Sequence, residues 1–180
     1  IGDMLTNIQV SKDSFENGKQ TIAHYKVHSG FQKALLSLWD DEGLGNYIVD
    51  CLQKHSTIKV WFTGHSLGGA LATIASARLL NLGDGEHFYS NRIGGLYTIG
   101  QPRVGDANFA EALSKELGEN RMEENYYKTI DSVEEYIRLA KDVNGSDLIE
   151  KFKRFLPSNA IILEIGTGSG TDWNILNQDY

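Results

Sequence analysis

The sequence predicts an α/β fold with a mostly parallel sheet and helices on its faces. The first supporting observation is an apolar run, residues 58–62, that leads into Gly-His-Ser-Leu-Gly and then into a helix pattern rich in small residues. The second is a strand pattern over residues 93–99, followed by a helix pattern that begins near Asp106. Because strands that alternate with helices usually pair in parallel, the order β-α-β-α predicts this architecture.

Composition and charge exclude several other classes of protein. The 180 residues are enough for one domain with a substantial core, and the net charge of −7 argues against nucleic-acid binding. Cys51 is the single cysteine, and no Cys/His spacing typical of a metal site occurs, so we expect no disulfide within the chain and no metal. No run is long enough for a transmembrane segment, and no signal-peptide pattern is visible, which favours a cytoplasmic location.

The part of the chain before the first strand-helix unit predicts loops and then helices. Polar residues 11–14 and 16–19 are typical of loops. Residues 25–31 look like the end of a strand and a turn. Apolar residues at three-four spacing predict helix over residues 31–55, with an interruption at the acidic and glycine-containing stretch 40–43.

The second strand-helix unit has clear boundaries. Residues 81–92 are polar and predict a loop. The strand over 93–99 should end before Pro102, because proline cannot donate a ladder hydrogen bond. Asp106 is a suitable N-cap for the helix that follows. Residues 118–124 are charged and predict another loop.

The pattern changes in the last third of the chain. Two helical patterns lie between residues 133 and 156, and Asn144-Gly145-Ser146 separates them. Residues 160–165 form a buried-strand pattern, which runs directly into Gly166-Thr167-Gly168-Ser169-Gly170.

The segment around Ser66 has the pattern of a catalytic turn. A strand before it and a helix after it are the context that the nucleophile elbow, G-x-S-x-G, requires. Gly64 and Gly68 flank the serine because a Cβ at either position would clash with the neighbouring element. The backbone N–H of Leu67 can then stabilise an oxyanion. The alternative is a glycine-rich turn with an incidental serine, and the additional Gly69 favours the elbow.

Three blocks in this order give a resemblance to a known family. They are Val27-His28-Ser29-Gly30-Phe31, Thr63-Gly64-His65-Ser66-Leu67-Gly68-Gly69-Ala70-Leu71-Ala72 and Tyr97-Thr98-Ile99-Gly100-Gln101-Pro102-Arg103-Val104-Gly105. With them, residues 1 to about 115 resemble the class 3, fungal-type lipases of the α/β-hydrolase superfamily.

The resemblance to class 3 lipases implies an activity and its main residues. It implies hydrolysis of carboxylic esters of lipids by acyl transfer, with Ser66 as nucleophile and the Leu67 N–H in the oxyanion hole. A histidine would take the serine proton and a carboxylate would orient that histidine. The hydrolase would need no cofactor, its substrate would be a lipid or small ester, and contact with a lipid surface is in keeping with it.

The sequence departs from the family pattern at the catalytic base. In this superfamily the chain order is serine, acid, histidine. The five histidines are His24, His28, His55, His65 and His87. His87 alone follows Ser66, and it falls in a polar loop too early to be the base. We interpret His24 and His28 as structural and His55 as the end of a helix, so the sequence offers no clear base.

The acid and one oxyanion residue also depart from the pattern. The family has an Arg-Gly-Ser/Thr block that would lie before Ile1, so we expect the lipase-like part to be truncated at its front. The family's acid follows a strand, and residues 126–131 imitate that strand without the usual Asp-x-Val-Pro. Asp131 is the candidate acid, with Glu134 as a substitute; helix-capping and first-turn roles are the alternatives.

A second resemblance covers residues from about 126 to 180. They look like the start of a class I S-adenosylmethionine-dependent methyltransferase, whose first motif is a strand, an acidic residue and a G-x-G-x-G loop. The resemblance implies that Glu164, Gly166, Gly168 and Gly170 line the methionine part of S-adenosylmethionine. Glycines let the backbone approach such a ligand, and a helix N-terminus offers free N–H groups. A plain strand-to-helix turn is the alternative.

The sequence therefore predicts two truncated parts. Residues 1–125 would form a partial α/β-hydrolase domain, and residues 126–180 would form helices and the first β-α unit of a Rossmann-like methyltransferase domain. Three accounts stay open: a natural fusion, a composite reading frame, or a hydrolase-like scaffold without chemistry. The function assigned is lipid ester hydrolysis by Ser66, and the alternative is a methyltransferase joined to an incomplete lipase-like scaffold.

Overall fold

A computed structural model describes residues 11–18, 20–82, 89–118, 121–124 and 161–164. The strands are β1 (Lys12–Asn17), β2 (Gln20–His28), β3 (Val60–His65), β4 (Ile93–Ile99), β5 (Arg121–Glu124) and β6 (Ile161–Glu164). The helices are α1 (Ser29–Leu36), α2 (Leu44–Lys54), α3 (Leu67–Leu79) and α4 (Ala107–Leu117), with a π-helical turn (Ser37–Asp41) and a 3-10 turn (Ser90–Arg92).

The four strands β5, β4, β3 and β6 form one parallel sheet in that order. His65 at the end of β3 is in register with Ile99 of β4, and Ile99 is in register with Glu124 of β5. The carboxyl ends of these strands therefore meet at one edge of the sheet, next to Ser66. The predicted α/β class with a parallel sheet is confirmed.

Helix α3 is buried on all sides. Every residue from Gly68 to Leu79 is buried, and the helix packs against β3, β4 and α1. A helix without a polar face belongs in an interior, and its six alanines and glycines at positions 68, 69, 70, 72, 75 and 77 let it lie close to the sheet. The serine turn is therefore carried by the best-packed helix of the described chain.

A buried arginine ties α3 to the amino-terminal elements. Arg78 donates to Asp40 in the π-helical turn at 2.8 Å and to the carbonyl of Glu16 in β1 at 3.0 Å. Its guanidinium lies 5.8 Å from the ring centre of Trp39. Burial lowers the pKa of Arg78, and the neighbouring carboxylate of Asp40 works in the opposite direction.

Three predicted helix boundaries are confirmed, at residues 40–43, at His55 and at Asp106. The interruption expected at 40–43 is the end of the π-helical turn, and α2 starts after Gly43, which has a φ of 76°. Asp106 caps α4, because its carboxylate accepts a hydrogen bond of 2.9 Å from the Phe109 N–H. His55 follows the last residue of α2, as predicted.

The prediction of loops at 11–14 and 16–19 is wrong at residues 12–14 and 16–17, which lie in a strand, and Lys19 is outside the described residues. β1 and β2 form an antiparallel hairpin there, with a register shift between Ser14 and Phe15. The polar residues concealed the strand, because Phe15 is its one large apolar residue. That residue is completely buried, 5.4 Å from the ring of Phe109 in α4. Packing against a distant helix overrides the local preference for a loop.

The prediction of a loop over the charged stretch 118–124 is also partly wrong. Residues 121–124 form β5, which pairs in parallel with β4. The strand ends in two glutamates, Glu123 and Glu124, and charged residues disfavour a strand by local composition alone. Its pairing with β4 supplies the backbone hydrogen bonds that the local sequence does not predict.

The buried-strand pattern at 160–165 is confirmed as β6. It pairs with β3 in parallel, with Val60 opposite Ile161 and Thr63 opposite Glu164. Residues 161–164 therefore extend the same sheet that carries Ser66. The division of the chain into parts 1–125 and 126–180 stays a prediction, since 161–164 are the residues after 125 that the structure describes.

Candidate active site

Ser66 occupies a strained turn between β3 and α3. Its φ is 52° and its ψ is −121°, a conformation that is costly for a residue with a Cβ. The Ser66 N–H donates to the carbonyl of Ile99 at 2.9 Å, and its carbonyl accepts from the Ala70 N–H at 3.2 Å. Its side chain does not cap the helix. The backbone is thus fixed at both ends, while the hydroxyl takes no part in holding the turn.

Two glycines allow the strand and the helix to approach each other around Ser66. A Cβ on Gly64 would overlap the backbone carbonyl group of Gly68. A Cβ on Gly69 would lie 2.9 Å from the carbonyl oxygen of Gly64 and 3.0 Å from Cβ of Gln101. Backbone groups cannot rotate out of the way, so the turn requires glycine at position 64.

Leu67 is the first residue of α3 and is half-buried. The N–H groups of the first helical turn have no acceptor within their own helix. The Leu67 N–H is therefore of the type that can donate to an anion beside Ser66, at the positive end of the helix dipole. The position agrees with the role that the sequence suggested, which stays a prediction.

A buried hydrogen-bonded pair, Thr73 and Gln101, connects α3 to the segment after β4 next to this turn and is called the brace below. Oγ1 of Thr73 in α3 lies 2.7 Å from Oε1 of Gln101 and 2.9 Å from the carbonyl oxygen of Gly69. Both side chains are buried. Gln101 follows β4, whose last residue, Ile99, holds the Ser66 N–H. The sequence analysis assigned no role to either residue. A glutamine between the end of a buried strand and a proline indicates a buried amide, and a buried amide needs a hydrogen-bond partner.

The structure places the described histidines as follows. Nδ1 of His28 accepts from the N–H groups of Gly30 at 3.2 Å and Phe31 at 3.4 Å, so this side chain caps α1. His24 contacts the ring of Tyr25, and His55 follows α2. His65 is exposed at the end of β3. Nδ1 of His28 is thus occupied at the start of α1, and His87 lies outside the described residues.

The other residues predicted for a site lie at or beyond the limits of the described chain. Asp131 is outside the described residues, as are Gly166, Gly168 and Gly170. Glu164 ends β6 at the same sheet edge as Ser66, in register with Thr63. The catalytic acid and the S-adenosylmethionine site therefore stay predictions.

In the ranges given above, no group of three or more His, Cys, Asp or Glu side chains is arranged to hold a metal ion. No helix among those same residues has the length and apolar character needed to cross a bilayer.

Comparison with known proteins gives one family. The profile described as Lipase (class 3) matches residues 1–136. A secreted mono- and diacylglycerol lipase of Fusarium solani is 36% identical over 110 residues, which are 58% of this chain and 29% of the relative. A lipase of Rhizomucor miehei is 40% identical over 85 residues, 47% of this chain and 22% of the relative. The chain thus spans less than a third of these relatives.

Solved structures give the same result. The triacylglyceride lipase of Rhizomucor miehei superposes with a TM-score of 0.52 and 30% identity, over 64% of this chain and 40% of that one. A triacylglycerol lipase whose catalytic centre is described as a serine protease triad superposes with a TM-score of 0.55 and 28% identity, over 68% of this chain and 43% of that one. These neighbours have the α/β-hydrolase-like fold with a parallel sheet.

The relatives contradict the expected cytoplasmic location. The Fusarium solani relative is named a secreted lipase, and so is a mono- and diacylglycerol lipase of Malassezia globosa that is 36% identical over 95 residues. The expectation was based on the absence of a visible signal peptide, which is a weak argument because a leader is not part of the folded domain.

Proposed function

Because this chain belongs to the class 3 lipase family, we propose that it hydrolyses carboxylic esters of lipids with Ser66 as the nucleophile. The observation that carries the proposal is the backbone of Ser66, with a φ of 52° at a strand-to-helix junction. Backbone strain of this kind is retained where a function depends on it. An incidental serine in a loose glycine-rich turn would have no reason to adopt it.

The proposed reaction is acyl transfer. Oγ of Ser66 attacks the ester carbonyl, and the carbonyl oxygen becomes an oxyanion that accepts a hydrogen bond from the Leu67 N–H. A histidine takes the serine proton and returns it to the leaving alcohol. Water then attacks the acyl-enzyme, and the fatty acid and free Ser66 are released. We propose Asp131 as the carboxylate that orients the histidine.

The catalytic base limits the rate expected of this chain. His28 is engaged at the start of α1, and His55 lies at the end of α2, so neither fits the role of base. Removing the histidine of a serine triad costs on the order of a millionfold in turnover, with the oxyanion hole and substrate binding supplying what is left. We therefore expect the isolated chain to turn over esters slowly.

The relatives support acylglycerols as the substrate class. Their names specify mono- and diacylglycerols in two cases and triacylglycerols in others. The proposed substrate for this chain is accordingly an acylglycerol, bound at the edge of the sheet where β3, β4 and β5 end. Contact with a lipid surface belongs to the same proposal.

The test is covalent labelling with a fluorophosphonate, read by intact mass and peptide mapping. We expect one adduct at Ser66 and none in Ser66→Ala. Ser114→Ala is the matched control, since it removes an exposed serine on α4 and should leave the adduct at Ser66 unchanged. A folded sample that acquires no adduct after prolonged exposure would refute an activated nucleophile.

The alternative proposal concerns the carboxyl-terminal residues. β6 supports it, because the sequence motif of such nucleotide-binding folds begins with a parallel strand, and residues 161–164 form one that ends at Glu164. Titration with S-adenosylmethionine, followed calorimetrically, tests it. Heat of binding that disappears in Gly166→Val would favour this reading, and no binding by the folded chain would remove it.

A further inference from the structure

The hydroxyl of Thr73 has two acceptors and one proton. Its Oγ1 lies 2.7 Å from Oε1 of Gln101 and 2.9 Å from the carbonyl oxygen of Gly69, the residue four positions earlier in α3. Both of these oxygens can only accept, so the hydroxyl donates to one of them at a time. Thr73 is 2% exposed and Gln101 is 8% exposed, so water has little access to the pair. The brace therefore divides one proton between a side chain and a backbone carbonyl.

The carbonyl of Gly69 is connected to the serine turn through two peptide groups. The first peptide group joins this carbonyl to the Ala70 N–H, which donates to the carbonyl of Ser66 at 3.2 Å. The second joins the Ser66 carbonyl to the Leu67 N–H. The Thr73 hydroxyl and these two peptide groups are called the Leu67 row below. The row ends at the N–H that the proposed reaction assigns to the oxyanion.

Hydrogen bonds along such a row strengthen one another. A donor at the Gly69 carbonyl draws electron density toward the oxygen, which makes the Ala70 N–H a stronger donor to Ser66. The same effect in the next peptide group makes the Leu67 N–H a stronger donor, and the strengthening is about 10–30% per bond. The position of one side-chain proton therefore affects the backbone donor next to the nucleophile.

We propose that Thr73 and Gln101 together set the donor strength of the Leu67 N–H, and that they are positioning residues for the reaction of Ser66. When the Thr73 proton points to the Gly69 carbonyl, the Leu67 row is complete and its N–H is the stronger donor. When the proton points to Gln101, the row lacks its first hydrogen bond and the N–H is weaker. Gln101 is thus a competitor for this proton. The inference rests on the proposed function, which assigns the oxyanion to Leu67.

A purely mechanical role for the brace predicts a different pattern. Thr73→Val and Gln101→Met both remove the 2.7 Å contact, and each replacement has nearly the size of the natural side chain. If the contact only held α3 against the segment after β4, both variants would slow the labelling of Ser66 alike. If the proton is divided, the two variants act in opposite directions. Thr73→Val removes the proton from the row, whereas Gln101→Met leaves the Gly69 carbonyl as the one remaining acceptor of the two.

The first measurement is amide NMR of the free protein, which needs no activity. A hydrogen bond to the carbonyl of a peptide group moves the resonance of its amide nitrogen downfield. We expect the amide nitrogens of Ala70 and Leu67 to move upfield in Thr73→Val and downfield in Gln101→Met, with the larger change at Ala70 because it is nearer. Thr73→Ser keeps the hydroxyl and should resemble the parent protein at both positions.

Ser76→Ala is the matched control within α3. The buried Ser76 hydroxyl donates to the carbonyl of Thr73 at 2.8 Å, so it is a hydroxyl of the same kind, about one turn further along the helix. In an α-helix each N–H donates to the carbonyl four residues earlier. The row that starts at Ser76 therefore ends at the Gly68 N–H and not at Leu67. We expect Ser76→Ala to lower stability and to leave the Leu67 resonance and the labelling rate unchanged.

The second measurement is the rate of fluorophosphonate labelling at Ser66, during which the phosphoryl oxygen becomes more negative. Because an oxyanion-hole donor is worth on the order of 10²–10³ in rate, a change of about 10–30% in its strength changes the rate roughly twofold to fivefold. We expect Thr73→Val to label more slowly by this factor, and Gln101→Met to label faster by roughly twofold. Both variants should lower the melting temperature, since both lose the same hydrogen bond.

Three results would overturn the proposal. Labelling that slows in Gln101→Met as much as in Thr73→Val would show that the brace is only mechanical. Unchanged amide resonances of Ala70 and Leu67 in Thr73→Val would show that the hydroxyl does not act on the row. Equal Leu67 shifts in Ser76→Ala and Thr73→Val would show that any substitution in α3 has this effect. A folded parent protein that is never labelled would refute the proposed hydrolysis, and the amide resonances would then decide the present inference by themselves.

Discussion

The serine turn and the β1–β2 hairpin are stabilised in different ways. The conformation of the turn is set by residues close together in sequence, such as Gly64, Ser66 and Gly68, and Ile99 of β4 adds one hydrogen bond to the Ser66 N–H. The hairpin depends on distant partners. Phe15 packs against Phe109, and Asn17 donates to Asn81, 64 positions away, at 2.5 Å. The turn can therefore be recognised as a motif, whereas the hairpin becomes visible only when the chain is folded.

The hairpin has further long-range ties. The amide of Gln32 in α1 accepts from the Glu16 N–H at 2.9 Å and donates to the carbonyl of Ser14 at 3.0 Å. Arg78 of α3 binds the carbonyl of Glu16. Three separate elements thus converge on one short strand. We therefore expect substitutions in the hairpin to lower the free energy of unfolding, and substitutions at the turn to lower mainly the reactivity of Ser66.

The largest effect is expected for Phe15→Ala. The side chain is completely buried, and truncating a buried phenylalanine costs about 3–5 kcal/mol of unfolding free energy through lost burial and the cavity left behind. Urea denaturation followed by circular dichroism measures it, with the conservative Phe15→Leu expected to cost less. A change below about 1 kcal/mol would mean that the hairpin contributes little to the fold.

The next effect is expected for Gly64→Ala. The new methyl group would overlap the Gly68 carbonyl, and overpacking against backbone costs about 3 kcal/mol. Fluorophosphonate labelling of Ser66 should be lost as the turn is displaced. Gly18→Ala is the matched control, because Gly18 in the hairpin has a φ of 61° and open space around it. It should lower stability by about 1–2 kcal/mol and leave the labelling rate unchanged. Equal loss of labelling in Gly64→Ala and Gly18→Ala would show that the reactivity of Ser66 does not depend specifically on the turn.

A smaller effect is expected for Thr73→Val, which removes the hydroxyl from the brace behind the turn. The substitution leaves the buried Gln101 amide oxygen without its donor, at a cost of about 2 kcal/mol. We expect slower labelling of Ser66 along with the lower stability. Thr73→Ser keeps the hydroxyl and should label at nearly the parent rate. Equally slow labelling in Thr73→Ser would show that labelling responds to any change of packing at this position and does not report the hydrogen bond.

The smallest effect is expected for Asp106→Ala at the start of α4. Losing an N-cap costs about 1 kcal/mol, which thermal and urea unfolding can resolve. Glu111→Ala on the exposed side of the same helix should change stability by less than about 0.5 kcal/mol. If both substitutions cost the same, the cap would have no specific role, and the boundary would be set by packing alone.

The sequence predicted the fold where neighbouring residues carry the information. The strand–turn–helix around Ser66, the strand Ile93–Ile99, the Asp106 cap and the strand at 161–164 all have local signals. Local signals failed at residues 11–19 and 121–124. In the first case one buried phenylalanine is the only apolar residue, and in the second two glutamates sit in a strand.

The same division applies to the candidate site. Ser66 and Leu67 could be identified from the sequence because the elbow motif spans a few adjacent positions. The Thr73–Gln101 pair could not, since its members are 28 positions apart and meet only when β4 packs beside α3.

The sequence by itself determined the α/β class, the identity of the serine turn and the family to which the chain belongs. Tertiary structure decided the β1–β2 hairpin, the Thr73–Gln101 hydrogen bond and the place of β6 beside β3. The physical reason is the range of the interactions. Backbone geometry and capping act over a few residues and can be recognised in order along the chain, whereas burial and sheet pairing depend on which distant segments the folded chain brings together.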